Sequence, residues 1–443
     1  MKVYLFPRGG LSFDDPTVPS RDISVVAFLP AFSVIPLTQY PGGSVDALVS
    51  VGDFVREGML IGRGRNPDAA NMHATVPGKV VRNVEWKDHE GRPYEGLVIR
   101  MEGAFKCLGK KEENFFRGNI SHKELQQILT DYGIVEMEGS GRPIASMLTE
   151  FGGTGTAQTL VVRCVFDDPW LAADYVVCRE RLQAVVEGSY IIACSGARIG
   201  RIIFAVSYKE KEMGNALLAE AAHIAAHTAA QYDISSSVIL TGSKYPQRNR
   251  RELELALRNY EKKEGVDLGS LLILGPATLA AVYDAVKYHR PILDRYVAVG
   301  GSAVRRPQVM RVRIGKRIGD LFEECGGFVD IPYRVASGSP LCGKPVLNLD
   351  EPITKTSYAV FAMLKAQTGD DLKRDCISCG ECRNVCPVGL DPEEIYKRII
   401  VLHSADGSGA QECHGCGCCE LVCPSHLSLS DVIMGKIPGG LHG

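Results

Sequence analysis

The stretch CISCGECRNVCPVG, residues 376–389, decides how the end of this chain folds, because it places four cysteines within fourteen residues. A second stretch, CHGCGCCELVCPSH at 413–426, repeats the spacing. In both runs two residues separate the first three cysteines, three residues precede the fourth, and a proline follows it. This spacing is typical of bacterial proteins with two [4Fe–4S] clusters, in which the fourth cysteine of each run binds the other cluster.

The spacing assigns ligands to both clusters. One cluster is predicted on Cys376, Cys379, Cys382 and Cys423. The other is predicted on Cys386, Cys413, Cys416 and Cys419. Cys418 does not fit the spacing and is interpreted as a bystander. Zinc sites more often use pairs of cysteines that a longer span separates, and disulfide frameworks are typical of short secreted chains, so both alternatives rank below iron–sulfur clusters.

Length and composition limit the remaining possibilities. The chain has 443 residues, which suggests several domains, and a net charge of −2, which provides no basic field for nucleic acid. Its longest apolar stretch, VVAFLPAFSVIPL at 25–37, has 13 residues and is too short to span a bilayer. The N-terminus has no signal-peptide pattern. We therefore expect a cytoplasmic protein without a transmembrane segment of its own, which reaches a membrane through a partner.

The first half of the chain begins with a β-rich module. After an N-terminal strap at 1–35, residues 36–105 contain VSVGDFVREGMLIGRG and HATVPGKVVRNVEW, whose alternating apolar residues and Gly-containing turns predict hairpins. The pattern resembles the barrel-sandwich hybrid fold of biotinyl and lipoyl domains. Those domains carry a modifiable lysine at a hairpin tip, and NPDAANMHAT has none here. A structural or docking role is therefore favoured over a carrier role.

Residues 120–290 predict an α/β domain. Ser121 and Glu124 form a capping box at the start of a helix. Strands are expected at 159–166, 190–196 and 201–207, and helices at 215–232 and 250–263. Alternating strands and helices indicate a mostly parallel sheet.

Residues 291–345 resemble a soluble-ligand-binding β-grasp (SLBB-like) unit, and residues 371–443 form the ferredoxin-like two-cluster domain. The expected fold class is multidomain, α/β plus β.

The order of these parts resembles the RnfC family, whose members belong to the Rnf electron-transport complex, which couples ferredoxin oxidation and NAD reduction to ion pumping. The likeness is carried by the two cysteine runs and by four further stretches, FPRGGLSF (6–13), IPLTQYPGGSVDALVSVGDFVREGMLIGR (35–63), RYVAVGGSAVRRPQVMRVRIGKRIGDLFEECGG (295–327) and EPITKTSYAVFAM (351–363). The resemblance implies an electron-transfer subunit that is peripheral on the cytoplasmic face of the membrane. It also implies membrane-embedded and ferredoxin-like partner subunits.

The same family, like the flavin subunit of respiratory complex I, has three nucleotide-binding motifs that are altered here. G-x-G-G-A-G-F-P corresponds to GSGRPIASMLTEF (139–151), which keeps Gly139 and Gly141 but loses the central glycines. N-G-x-E-C-E-P corresponds to RCVFDDPWLAADY (163–175), which keeps Asp167 and Asp168. Y-P-x-G-x-E corresponds to YPQRNRREL (245–253), where Arg248 replaces the glycine. The resemblance implies FMN and NADH as cofactors at Gly139, Gly141, Asp167 and Asp168, whereas three altered motifs favour loss of that site.

Two further functions remain open from the sequence. The first is a non-enzymatic adaptor in which the clusters alone conduct, and it differs from the Rnf-type enzyme only in whether a nucleotide binds. The second is a cobalamin-reductase-like flavin and iron–sulfur enzyme. In that family the glycine loop precedes the barrel-sandwich module, whereas here it follows, and so this alternative is the less favoured one.

Overall fold

The computed structural model describes residues 2–13, 18–37, 43, 45–87, 93–105, 120–152, 158–195, 199–228, 234–369, 372–402 and 409–435. The strands are β1 (Ser24–Val26), β2 (Phe32–Pro36), β3 (Val45–Ala47), β4 (Phe54–Val55), β5 (Leu60–Gly64), β6 (Met72–His73), β7 (Gly78–Lys87), β8 (Pro93–Met101), β9 (Gln158–Cys164), β10 (Ile199–Ser207), β11 (Ser235–Thr241), β12 (Ser270–Leu274), β13 (Asp294–Gly300), β14 (Gln308–Arg313), β15 (Arg334–Ser337), β16 (Lys344–Pro345) and β17 (Ala359–Met363).

The helices are α1 (His122–Asp131), α2 (Ile144–Gly152), α3 (Ala172–Glu180), α4 (Leu182–Cys194), α5 (Lys211–Thr228), α6 (Arg250–Glu264), α7 (Pro276–Tyr288), α8 (Ile318–Glu324), α9 (Lys365–Thr368), α10 (Glu381–Asn384), α11 (Pro392–Leu402), α12 (Cys418–Leu421) and α13 (Leu429–Ile433). Within the described ranges, no helix combines the length and the hydrophobicity that crossing a membrane requires. The last residues of the predicted two-cluster domain, 436–443, lie outside the described residues.

The expected barrel-sandwich module is confirmed. One sheet has the strand order β2-β8-β7-β4 and the other has the order β3-β5-β6. Their inward-facing side chains, such as Val55, Ile61 and Val80, are fully buried in one core. β2 starts at Phe32 and pairs with β8, so this module begins within the stretch that the sequence analysis placed in the strap.

The α/β domain is built on a parallel sheet with the strand order β11-β10-β9-β12. The capping box of Ser121 and Glu124 is present at the start of α1. The strand predicted at 190–196 is wrong, because residues 190–194 end helix α4 and Ser195 is its C-cap. Every residue from Ala184 to Cys194 is buried, so the segment has no polar face and its apolar run does not reveal the helical period.

Close packing of α4 against α7 explains why a glycine lies in the middle of this buried helix. A Cβ atom on Gly188 would lie 2.1 Å from the carbonyl oxygen of Leu279 in α7. The two helices approach each other only because that atom is missing. Their packing fixes the direction of α7, whose first turn follows β12 directly.

The β-grasp unit has a six-stranded mixed sheet with the order β1-β14-β13-β17-β15-β16. Its outer strand β1 comes from the N-terminal strap and pairs in parallel with β14. β17, from beyond the predicted unit, lies in the middle of the sheet between β13 and β15. The strap also reaches the cysteine-rich end, because the backbone N–H of Gly10 donates to the carbonyl of Val385 at 3.0 Å. The strap therefore joins the β-grasp unit to the cysteine-rich end through backbone hydrogen bonds, not only along the chain.

Candidate iron–sulfur and nucleotide sites

The two cysteine runs fold into halves with matching backbone conformations. Two residues after the first cysteine, Ser378 and Gly415 both have positive φ angles, of 56° and 65°. Gly380 and Gly417 have φ angles of 77° and 78° and begin the short helices α10 and α12, which carry the third cysteine of each run. Left-handed backbone is accessible mainly to glycine, which accounts for three of these four positions. The sequence repeat is therefore also a structural repeat.

Four cysteines predicted to share a cluster line one cavity. Cys386 comes from the first run, and the others, Cys413, Cys416 and Cys419, come from the second. Apolar side chains complete the wall, among them Pro387, Leu390 and Ile433. The backbone N–H of Leu390 donates to the Cys386 sulfur at 3.3 Å. Four thiols around a mostly apolar cavity, with an amide donor to one sulfur, fit a [4Fe–4S] cluster.

The other predicted set lies nearer to the surface. Cys382 is buried against Cys419 and Leu429, and Tyr396 lies beside Cys376 and Cys423. Cys379 is exposed, and the Cys376 sulfur accepts the backbone N–H of Ser378 at 3.5 Å. The set formed by Cys386 and three cysteines of the second run has less contact with solvent, because Cys386 and Cys419 are buried and none of its four cysteines is exposed.

Cys418, which the spacing leaves without a role, lies in the wall of the cavity that Cys386 shares with the cysteines of the second run. It is buried, and its thiol donates a hydrogen bond to Cys416, which lowers the pKa of the Cys416 thiol. Burial raises the pKa of the neighbouring Cys419 thiol. Cys418 therefore contacts a predicted ligand without belonging to the repeated pattern.

The segment that lines this cysteine cavity, in the second run, packs against the rest of the protein. The hydroxyl of Tyr245 donates to the carbonyl of Cys416 at 2.6 Å and lies 3.7 Å from the sulfur of Cys342. His414 Nε2 lies 2.9 Å from Oε1 of the fully buried Glu252. A Cβ atom on Gly417 would lie 2.6 Å from the Leu341 carbonyl oxygen. Cys342 and Glu252 carry no sequence signal for this role, because their partners are distant in the chain.

The structure does not bring the four predicted nucleotide-binding residues to one cavity. Gly139 lines a cavity of about 270 Å³, together with Cys342, Tyr358 and others. Gly141 lines a separate and much smaller recess beside Lys355. Asp167 and Asp168 are buried and belong to neither lining.

The two aspartates bind to other parts of the chain instead. The backbone N–H of Arg248 donates to Asp167 Oδ2 at 3.1 Å, and that of Trp170 donates to Asp168 Oδ1 at 3.1 Å. The Arg248 guanidinium donates to Asp174 Oδ2 at 2.9 Å. Burial raises the pKa of Asp167 to about 7, although Arg248 opposes the shift. Arg248 and Asp174 thus join the predicted residues in one internal network of charges.

Asp167→Asn is expected to stabilise the folded protein by about 1–3 kcal/mol near pH 8 and to have little effect near pH 4. The folded pKa of about 7 exceeds the ordinary value of 3.8, so the folded state holds a proton that the unfolded state releases. The stability that this proton provides is complete below about pH 4 and is lost as the pH rises through about 7. Asparagine removes this loss, because its side chain carries no ionisable proton. Its carbonyl oxygen still accepts the Arg248 N–H. Urea denaturation at both pH values measures the difference.

Asp22→Asn provides the control, because this aspartate side chain is 89% exposed. Its replacement should change stability by less than about 0.5 kcal/mol at either pH. An Asp167→Asn effect that is the same at both pH values would contradict a raised pKa at Asp167.

Family models match four consecutive parts of the chain. The RnfC barrel-sandwich hybrid domain matches residues 8–104, and the Nuo51 FMN-binding domain matches 129–284. The SLBB domain matches 296–345, and the 4Fe–4S dicluster domain matches 373–427. These matches confirm the expected fold class and show that the C-terminal unit is an iron–sulfur dicluster domain.

Curated relatives extend over most of the chain. The C component of the ion-translocating oxidoreductase complex of Rhodobacter capsulatus is 30% identical over 387 residues, which cover 86% of this chain and 72% of the relative. The C component of the proton-translocating ferredoxin:NAD(+) oxidoreductase complex of Clostridium ljungdahlii is 28% identical over 389 residues, which cover 87% and 82%.

A solved structure shares the fold at lower sequence identity. The NAD+-reducing [NiFe]-hydrogenase in its H2-reduced state superposes with a TM-score of 0.52 and 14% identity, over 73% of this chain and 61% of the hydrogenase chain. This likeness shows the fold alone, whereas the curated relatives and the family models confirm the resemblance that the motifs indicated. The chain belongs to the RnfC family of ion-translocating oxidoreductase complexes.

Proposed function

We propose that this protein relays electrons through two [4Fe–4S] clusters within an Rnf-type, ion-translocating ferredoxin:NAD oxidoreductase complex. The observation that carries the proposal is the single cavity lined by Cys386 of the first run and three cysteines of the second. The dicluster family match and the names of the relatives support it. When bound, each cluster supplies one-electron redox chemistry, and a chain of two clusters carries electrons across the domain.

The residues of the chain have distinct tasks in this proposal. Eight cysteine thiolates bind iron, four to each cluster. Backbone N–H groups such as those of Ser378 and Leu390 donate to cysteine sulfurs and stabilise the negative charge that reduction adds. The apolar wall of the cavity around Cys386 and the cysteines of the second run limits contact with water, which also influences the reduction potential.

The different exposure of the two sets suggests where a partner docks. Cys379 of the first set is exposed, and its neighbour Ile377 is 66% exposed. Leu372 and Val401, on flanking segments, are also exposed apolar residues. Efficient electron transfer requires two redox centres to come close, and an exposed ligand allows that approach. We assign this face to a ferredoxin-like partner subunit.

The remaining partners follow from the complex to which the relatives belong. Ion translocation requires membrane-embedded subunits, and we place this chain beside them, on the cytoplasmic face of the membrane. The N-terminal strap and the barrel-sandwich and β-grasp units provide the surfaces for that assembly. The buried network around Arg248 favours a protein that conducts electrons without nucleotide catalysis of its own.

Iron analysis and EPR spectroscopy of the full chain, purified without oxygen, test the proposal. We expect about eight irons per chain and, after reduction, two interacting [4Fe–4S] signals. A reduced ferredoxin should reduce both clusters. Zinc as the only bound metal, or a single cluster that reduced ferredoxin does not reach, would overturn the relay.

A further inference from the structure

The parallel sheet defines one place where a nucleotide would be expected. β9, β10 and β11 extend the sheet in one direction, and β12 then returns to the other side of β9. In open parallel sheets, ligands bind outside the carboxyl ends of the strands at the point where the strand order reverses. Here that point lies beyond Cys164, which ends β9, and Leu274, which ends β12. We call this space the switch-point crevice.

Glu138 fills the crevice on the β12 side. Placing Pro143 on the last proline of G-x-G-G-A-G-F-P corrects the register given in the sequence analysis. In the corrected register Gly139 and Gly141 are retained central glycines, and Glu136 and Glu138 fall on the first two glycine positions of the motif. Glu138 is buried, and its carboxylate accepts hydrogen bonds from the Thr278 backbone N–H, at 3.0 Å, and from the Thr278 hydroxyl. Thr278 lies in the first turn of α7. The N–H group that could bind a phosphate at this helix N-terminus is thus bound to a carboxylate of the chain itself.

The fit of Glu138 extends to its carbon atoms. A Cβ atom on Gly275, the residue before α7, would lie 2.3 Å from Cδ of Glu138. Arg295 is fully buried and donates to the carbonyl of Met137 at 2.8 Å, and its charge opposes the rise in pKa that burial causes at Glu138. The side chain is therefore enclosed and has partners.

Glu136 occupies the loop in the same way. Its carboxylate accepts the backbone N–H of Glu138 at 3.2 Å and that of Ser140. Successive backbone N–H groups of this kind form anion-binding concavities in phosphate-binding loops. The guanidinium of Arg163 lies 3.9 Å from Glu136 Oε1. Arg163 stands in the second altered motif, so one charge pair links the first and second motifs.

Arg248 links the second and third motifs. It stands at the glycine position of Y-P-x-G-x-E, and its side chain is 8% exposed. The guanidinium donates to Asp174 and lies 5.9 Å from the centre of the Tyr358 ring. The departures in the three motifs are therefore paired: Glu136 of the first motif lies beside Arg163 of the second, and Arg248 of the third motif pairs with Asp174, which follows the second motif.

We propose that these side chains occupy the switch-point crevice permanently, so that this protein binds neither flavin nor nicotinamide nucleotide there. The residues present do not fit an FMN phosphate, because the loop and helix donors already bind carboxylates. Reduction of NAD+ to NADH takes two electrons and one proton together, whereas each cluster transfers one electron. A two-electron carrier on another protein of the complex therefore performs that step. This inference rests on the proposed relay only for the role of the clusters.

Flavin binding to the full chain with its clusters is the first test. FMN is titrated and its fluorescence and the Tm of the protein are recorded, and we expect no saturable quenching and no FMN-dependent rise in Tm. NADH should likewise leave the clusters oxidised. Stoichiometric FMN in the protein, or saturable FMN binding, would overturn the inference. Iron content and EPR signals are read separately, so a failure here is distinguishable from a failure of the relay.

Glu138→Gly is the second test, because it frees the helix N-terminus. Inorganic phosphate, compared with chloride at equal ionic strength, should raise the Tm of this variant by a few degrees. It should leave the wild type and the Glu138→Gln control unchanged, because both keep a side chain over Thr278. Equal phosphate effects in all three proteins, or none in a folded Glu138→Gly variant, would contradict self-occupation of the crevice. If Glu138→Gly does not fold, the flavin titration of the wild type decides.

Discussion

Cys386→Ala is expected to destroy the cluster bound mainly by the second cysteine run, although Cys386 belongs to the first. Cys386 lines the same cavity as Cys413, Cys416 and Cys419. Removal of one of four thiolates leaves an iron without a protein ligand, so the iron content should fall from about eight to about four per chain. The EPR spectrum of the remaining cluster should match that of Cys413→Ala and differ from that of Cys376→Ala.

The reciprocal variant and a matched control complete this experiment. Cys423→Ala should behave like Cys376→Ala, because cross-ligation assigns Cys423 to the first cluster. Cys418→Ala should keep both clusters, since Cys418 contacts Cys416 but lies outside the repeated spacing. If Cys386→Ala instead gave the spectrum of Cys376→Ala, each run would bind its own cluster, and the assignment would be wrong.

The loss of a cluster should also unfold part of the domain. The apolar core beneath the clusters is small and centres on Ile395, Ile399, Val432 and Ile433. A core of this size buries too little surface to hold a fold by itself, so ligand binding supplies much of the folding free energy. Increased protease cleavage between 372 and 435 in Cys386→Ala, but not in Cys418→Ala, would accompany the loss of iron.

Arg248→Met is expected to destabilise the protein by about 3–5 kcal/mol, because it leaves a buried carboxylate without its partner. The side chains of Arg248 and Asp174 are 8% and 6% exposed and lie 2.9 Å apart. Methionine keeps the length and the apolar part of the side chain but removes the charge. Urea denaturation followed by circular dichroism measures the loss, with the clusters present in both proteins.

Arg317→Met is the matched control on the surface. Arg317 also forms two ion pairs, with Asp320 and Asp350, but its side chain is 49% exposed. Its replacement should cost less than about 1 kcal/mol. The double variant Arg248→Met/Asp174→Asn should recover part of the loss, because the two residues are in direct contact. Equal losses of stability from Arg248→Met and Arg317→Met would show that the buried ion pair contributes no more to the free energy of unfolding than the surface pairs do.

The α/β domain shows how far local sequence patterns extend. The capping box at Ser121 was predicted correctly, because its two hydrogen bonds join residues three positions apart. The sequence predicts a strand at 190–196, whereas residues 190–194 are the end of α4. A helix that is buried on all sides has the same short apolar composition as a buried strand, so only its neighbours in space distinguish the two.

The nucleotide motifs show a second limit. The sequence reveals that Arg248 replaces a glycine, and counting back from Pro143 could also have drawn attention to Glu136 and Glu138. Nothing in the sequence shows that Glu138 reaches Thr278, 140 residues later, or that Arg248 reaches Asp174, 74 residues earlier. Absent glycines alone suggest a lost site, whereas these contacts suggest one that the chain fills itself.

The sequence predicts the cysteine chemistry of this protein, because the spacing of thiols within one loop is a local property and the repeat of that spacing predicts which residues share a cluster. The tertiary structure adds which predicted set of cysteines is exposed, which set lies against Tyr245 and Glu252, and which side chains lie in the switch-point crevice. Those properties depend on contacts between residues that are far apart in the chain, and the folding of four units against one another brings them together.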